Sequence, residues 1–315
     1  AAARGPAVGG RARVRRGPDV LGIARHRAMF RRLRADVLQF NLSTASSCQW
    51  AILAASPIPG LPLVVIENSP MGVWSSTSGR LKRLTAKRLA AHVAVGDRTG
   101  RLIEASSGLP PQSIETIYHG VPDVQRLPAD RPDAPTLLTV ARHDPVKGVD
   151  VLLDAFATVP EPTRLVLIGE GADTEALRRR CHDLGLDDRV EFLPMPWDSV
   201  RVADVMWNFD GLVLPSRLEG FPVTIAEAML AGLPVVATDV GSVREAVQPG
   251  RTGWIVPSED PAALAAAMIA LTEDPDRAAP YGETARAPAE QRFTIEATID
   301  AYLAMYRRIL PGAPI

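Results

Sequence analysis

Residues 213–241 read VLPSRLEGFPVTIAEAMLAGLPVVATDVG. Gly211-Leu212-Val213-Leu214 is a short apolar run after Asp210, the pattern of a strand buried on both faces of a parallel sheet. Pro215 and Ser216 end it, and Arg217 to Pro222 form a polar loop containing Gly and Pro. The spacing then predicts a helix from about Val223 to Ala231, closed by Gly232, with a second strand at Leu233–Thr238. Open α/β sheets bind ligands at such strand–helix junctions. Glu219 falls on the loop and Glu227 early in the helix, with seven residues between them. Two carboxylates there suit hydroxyl recognition, and the free N–H groups of the helix start suit a phosphate. A plainer reading stands beside this one. Thr224-Ile225-Ala226-Glu227 also fits a capping box, in which Glu227 only satisfies a backbone N–H, and Glu219 is then a solvated loop charge.

The same alternation extends outward from this window. Strands are expected at Thr136–Ala141, Arg164–Ile168, Val190–Leu193 and Trp254–Val256, and helices at Val149–Thr158, Asp173–Leu184, near Ser199–Phe209 and at Pro261–Thr272. This is a βαβ series, hence a parallel, doubly wound sheet with right-handed crossovers. Upstream, Asp36–Phe40, Leu63–Ile66, His92–Val95 and Ser113–Tyr118 are further strand candidates. Pro122 to Pro135, rich in Pro and Asp, reads as an interdomain linker, and Phe293–Leu310 as a final amphipathic helix. Residues 1–20 show no periodicity.

The 315 residues suggest about two domains, and a hydrophobic content of 46% is enough for sizeable cores. A formal net charge of -1 argues against nucleic acid as the partner of the whole chain. Charge is nevertheless uneven: residues 1–36 hold ten arginines against only Asp19 and Asp36. Arg80, Lys82, Arg83, Lys87 and Arg88 lie on a helix candidate that suits either a solvated face or contact with the inner membrane surface. Cys48 and Cys181 form no disulfide framework or zinc spacing, and reduced thiols in the cytoplasm are the simplest account. No apolar run reaches membrane-spanning length.

Five segments in order carry a family resemblance: IYHGVPD at 117–123, ARHDPVKG at 141–148, LIGEGADTEAL at 167–177, VEFLP at 190–194, and residues 213–242. Together they resemble glycosyltransferase family 4, retaining nucleotide-sugar-dependent enzymes of the α/β GT-B fold, over roughly residues 30–310. The resemblance implies two Rossmann-like domains facing a cleft. A partial acceptor-side domain would span 30–122 after a poorly defined segment 1–29. A linker would follow at 123–135, a nucleotide-sugar domain at 136–292, and a helix crossing back to the first domain at 293–315.

It also implies roles for particular residues. Arg142 and Lys147 are placed like a diphosphate-binding pair, and Glu219 like the residue that contacts donor sugar hydroxyls. Gly220, Phe221 and Pro222 would form the turn against that sugar, and Val223 and Thr224 would offer N–H groups to the distal phosphate. Glu227 would bind ribose, Leu193 would lie by the base, and His119 and Gly120 would face the cleft. No metal or other cofactor is implied. The partners implied are a UDP- or GDP-sugar donor and a carbohydrate or lipid-linked acceptor, in cell-envelope, glycolipid or polysaccharide biosynthesis.

Three departures bear on activity. The usual opening strand, Gly-rich turn and helix are not recognisable, so the N-terminal domain is expected to be incomplete. Glu67 and Asn68 stand in VVIENSP at 64–70, where many relatives carry histidine, and Pro194 stands where glycine often follows the FL pair. A nucleotide-sugar-binding module without transfer is therefore the alternative reading.

Overall fold

The structure is a computed structural model that describes residues 20–71, 76–127, 133–195 and 201–312. The first region contains α1 (Val20–Leu33), β1 (Leu38–Leu42), α2 (Gln49–Ala55), β2 (Leu63–Glu67), α3 (Ser76–Ala86), β3 (Ala91–Ala94), α4 (Asp97–Ser107) and β4 (Glu115–Thr116). The second contains β5 (Thr136–Val140), α5 (Val149–Phe156), β6 (Arg164–Ile168), α6 (Thr174–Asp183), β7 (Val190–Leu193), α7 (Val202–Val205), β8 (Gly211–Leu214), α8 (Val223–Ala231), β9 (Val235–Thr238), α9 (Val243–Ala246), β10 (Gly253–Val256), α10 (Pro261–Thr272), α11 (Pro275–Arg292) and α12 (Ile295–Ile309).

Helical crossovers between successive strands force parallel pairing, and two parallel sheets result. Their strand orders are β1-β2-β3-β4 and β10-β9-β8-β5-β6-β7. Every residue of β2, β3, β8 and β9 is buried, which explains their unbroken apolar runs. In the second sheet the order runs outward through β6 and β7 on one side of β5, and through β9 and β10 beyond β8 on the other. The reversal lies between β5 and β8, and the crevice outside their carboxyl ends is the binding position of such a sheet.

Several boundaries differ from the sequence expectation. β1 begins two residues later than expected, at Leu38, and β4 keeps only Glu115 and Thr116. Helix α1 was not expected, because it shows the core only a narrow strip around Ile23 and Phe30 amid arginines. Helix α11 was also missed, since Pro280 and Pro288 lie inside it. It is held by packing on α8, through the fully buried Ala285 and Ala289. On the basic helix α3, Lys82 does not face solvent as expected. It is 2% exposed, pairs with Glu67 and donates to the Ala45 carbonyl at 2.9 Å, so it offers nothing to a lipid surface. Arg80, Arg83, Lys87 and Arg88 remain exposed.

The regions join through the chain that crosses between them twice. Val121 N donates to Phe293 O at 2.8 Å, and Ile295 N returns to Val121 O at 3.1 Å. Phe293 is fully buried and packs on Tyr118 and Phe221, with ring centroids at 5.2 and 4.8 Å. Beyond it α12 reaches back to the first sheet, where Arg308 pairs with Glu115 at 2.6 Å and Tyr306 bonds Gln39. Phe293→Ala leaves a cavity at this seam and is expected to cost about 3–5 kcal/mol, read as a lower urea midpoint.

Candidate active site

The loop after β5 and the loop after β8 are fastened together at the switch point. Asp144 caps a short 3-10 turn over Pro145–Lys147, accepting from Val146 N at 3.1 Å. Gly148 follows with φ 64°, and a Cβ there would stand 2.2 Å from Pro215 O, so both conformation and space demand glycine. Arg217, on the opposite loop, donates to Pro145 O at 2.6 Å and to both oxygens of Asp150 at 2.8 Å. Its own amide donates to Val146 O at 2.8 Å. The neighbouring Asp150 and Glu259 carboxylates raise the Arg217 pKa further, so this clamp stays charged.

The clamp brings together two residues far apart in sequence. Lys147 Nζ donates to Glu219 Oε1 at 2.6 Å, and Ser216 Oγ donates to the same oxygen at 2.7 Å. Glu219 is 9% exposed, so the pair is a charge-assisted bond largely out of water. Both side-chain bonds recorded for Glu219 fall on Oε1. Arg142 lies near Lys147 with its side chain 77% exposed, and pairs with Asp144 at 2.9 Å. A cavity of about 470 Å³ opens here, lined among others by Arg142, Lys147, Arg201, Thr224 and Glu227.

Helix α8 does not form the capping box. Its N-cap is Pro222, so Thr224 already lies inside the first turn and no side chain caps the helix. The initial amides of α8 are thus uncapped, while Glu227 lines the cavity instead of serving the backbone. Burial, with Asp204 adding to it, pushes the Glu227 carboxyl up to about 7, and Arg201 opposes the shift.

The remaining candidates divide. Val223 and Thr224 begin α8, and Thr224 lines the cavity. Phe221 is buried between Tyr118 and Phe293, so its side chain belongs to the seam. Gly220 lies against the first region, where a Cβ would be 2.0 Å from Asn68 O. Gly120 packs on the chain entering α12, with Thr294 O 2.3 Å from the place of a Cβ. His119 Nε2 bonds Asn68 Oδ1 at 3.1 Å, and burial lowers its pKa, favouring neutral imidazole at pH 7. Leu193 ends β7, and two residues on Met195, rather than Leu193, lines the cavity. Asn68 spends its amide N–H on Leu42 O at 3.1 Å, while Glu67 is wholly buried with Lys82 and His92, away from the crevice.

Arg201 was not a candidate from the sequence. It bonds both oxygens of Asp204, at 3.0 and 2.6 Å, and the Asp123 carbonyl at 2.7 Å. A single arginine in an indistinct helical segment carries no pattern to reveal this. Among the described residues no group of three His, Cys, Asp or Glu side chains is placed to hold a metal ion. No helix among them is long and apolar enough to cross a membrane.

The family profile of glycosyl transferases group 1 matches residues 125–287, and that of glycosyltransferase family 4 matches residues 2–125. D-inositol 3-phosphate glycosyltransferase of Gordonia bronchialis is 38% identical over 183 residues, covering 54% of this chain and 40% of that protein. D-inositol 3-phosphate glycosyltransferase 2 of Catenulispora acidiphila is 36% identical over 254 residues, 70% of this chain and 59% of that protein. The chain thus spans about half the length of the curated relatives it matches. Among solved structures, Anabaena HepE in complex with UDP superposes with TM-score 0.78 at 23% identity, over 90% of this chain and 81% of that one. A Rickettsia africae glycosyltransferase gives 0.80 at 17%, over 95% and 83%.

The Glu227 shift has a consequence for stability. A carboxyl that titrates near 7 when folded and near 4.5 when unfolded favours the folded state most below pH 4.5. That contribution is lost as pH rises through 7. Glu227→Gln should remove this part of the slope between those values, measured by urea unfolding at a series of pH values.

Proposed function

Because the chain belongs to the glycosyl transferases group 1 family, we propose that it moves a sugar from a UDP- or GDP-sugar to a carbohydrate or lipid-linked acceptor, retaining anomeric configuration. Such a reaction serves cell-envelope, glycolipid or polysaccharide biosynthesis. The observation that carries this reading is the Lys147–Glu219 contact at the switch point, beside a cavity that also holds Glu227.

Transfer breaks the bond between the anomeric carbon and the phosphate oxygen, and the electron pair leaves with the nucleoside diphosphate. The acceptor oxygen bonds the same carbon and gives up its proton. Charge grows on the departing diphosphate, so groups already fixed around it lower the barrier. Lys147, Arg142 and the uncapped amides of Val223 and Thr224 fill that role, without a metal. Glu219 Oε2 accepts from a sugar hydroxyl while Oε1 keeps Lys147 in place. Glu227 accepts from the two ribose hydroxyls. The donor site lies on the second region, and the acceptor enters from the first. UDP bound to HepE and the activity named for the inositol phosphate relatives support a nucleotide-sugar donor.

Incubation with a panel of UDP- and GDP-sugars, assayed for released nucleotide, tests the reading. Lys147→Ala and Glu219→Ala should each lower transfer by about 10²-fold or more. Lys147→Ala leaves the Glu219 carboxylate without its cation and should also lower Tm, so transfer is assayed well below the Tm of every variant. Donor binding without transfer to any acceptor would mark a binding module instead, and neither binding nor turnover would sink the reading. Ribose hydroxyls donate to the ionised carboxylate, so donor binding should lower the Glu227 pKa and release a proton near pH 6.5. Affinity should then rise with pH until about 7 and level off above it. Calorimetry in buffers of different ionisation heat should show this release in the wild type and not in Glu227→Gln.

A further inference from the structure

Helix α4 starts after Gly96, which has no side chain to cap it. Its first amides therefore need acceptors from elsewhere. They find them on the other side of the cleft. Asp97 N and Arg98 N donate to the two oxygens of Glu245 at 2.8 Å each, and Thr99 N donates to Ser242 Oγ at 3.2 Å. Tyr118 OH donates to Glu245 at 2.9 Å, and Arg98 pairs with Asp239. A Cβ on Gly96 would lie 2.1 Å from Ser242 Oγ, so the close approach depends on glycine.

One side chain in this joint reaches further. Thr99 is fully buried, and its Oγ1 donates to the carbonyl of Gly220 at 2.9 Å. Gly220 follows Glu219 directly, and the same carbonyl accepts from Ser242 N at 3.0 Å. The Gly220–Phe221 peptide, one residue beyond Glu219 in the chain, is thus held partly by a hydroxyl from the opposite domain.

We propose that Thr99 is a positioning residue for Glu219: the N-terminal domain, through one hydroxyl, sets the loop that meets the donor sugar. This rests on the reading of Glu219 as the sugar contact. Arg142, Lys147 and Glu227 all belong to the second domain, so the nucleotide diphosphate alone binds without help from Thr99. The sugar contact needs the two domains together.

The experiment compares wild type, Thr99→Val, Thr99→Ala and Thr99→Ser by calorimetry with UDP, UDP-glucose, GDP and GDP-mannose, and by amide hydrogen exchange without ligand. Valine keeps the shape and loses the hydroxyl, alanine loses the hydroxyl without β-branching, and serine keeps the hydroxyl. Thr99→Val and Thr99→Ala should weaken the nucleotide sugar at least about fivefold relative to the free nucleotide, with serine restoring the ratio. Exchange at residues 217–222 and at Ser242 should quicken at least about fivefold in the same two variants and return in Thr99→Ser. Equal weakening of nucleotide and nucleotide sugar, or unchanged exchange in the loop, would overturn the proposal. If wild type binds none of the four ligands while exchange responds as stated, the donor reading fails and the positioning of the loop by Thr99 stands.

Discussion

The contact on which the site depends is the bond between Lys147 Nζ and Glu219 Oε1. Neither residue could hold this place alone. A lysine on a short turn is free to follow water, and a carboxylate exposed by only 9% is costly to bury without a cation. The bond forms because β5 and β8 are neighbours although far apart in sequence, and because Arg217 ties their two loops at Pro145 and Asp150. The ion pair thereby fixes Lys147 at the edge of the cavity that Arg142, Thr224 and Glu227 also line.

A second layer of constraint runs across the cleft. Phe221 leaves the Glu219 loop to pack against Tyr118 and Phe293, which belong to the two crossing segments. Burial, with Glu245 adding to it, pushes the Tyr118 phenol up to about 12, so it remains a proton donor to that carboxylate at neutral pH. Apolar packing at this seam limits how far the loop can move, while the polar contacts of Thr99, Ser242 and Glu245 fix its direction. The division is physically reasonable: burial supplies non-directional attraction, and hydrogen bonds supply geometry.

The strands of the second sheet were legible because burial on both faces produces apolar runs such as Gly211–Leu214, and their loops announce themselves with Gly and Pro. Helices α1 and α11 were not. The first hides a thin apolar strip among arginines, and the second carries two prolines that local rules read as breaks but that packing on α8 overrides. The Thr224–Glu227 spacing misled in a related way. A capping box requires the helix to start two residues later than it does, with Thr224 as N-cap, and tertiary packing set the start at Val223. Lys82 looked like part of a basic face, yet Glu67 draws it inside. Arg201 and Thr99 gave no warning, since one arginine and one threonine have no spacing to read.

The Glu219 and Glu227 carboxylates, the cations at 142 and 147, and the βαβ order were all settled by local sequence, because strand period, turn chemistry and helix stops act over a few residues. Which of these groups touch was decided only by the tertiary structure. Strand order in a sheet is fixed by long-range packing, and so are the burial that lifts Glu227 towards neutrality and the reach of Thr99 to Gly220. Those effects depend on what lies across a few ångströms of space, which neighbours in sequence do not specify.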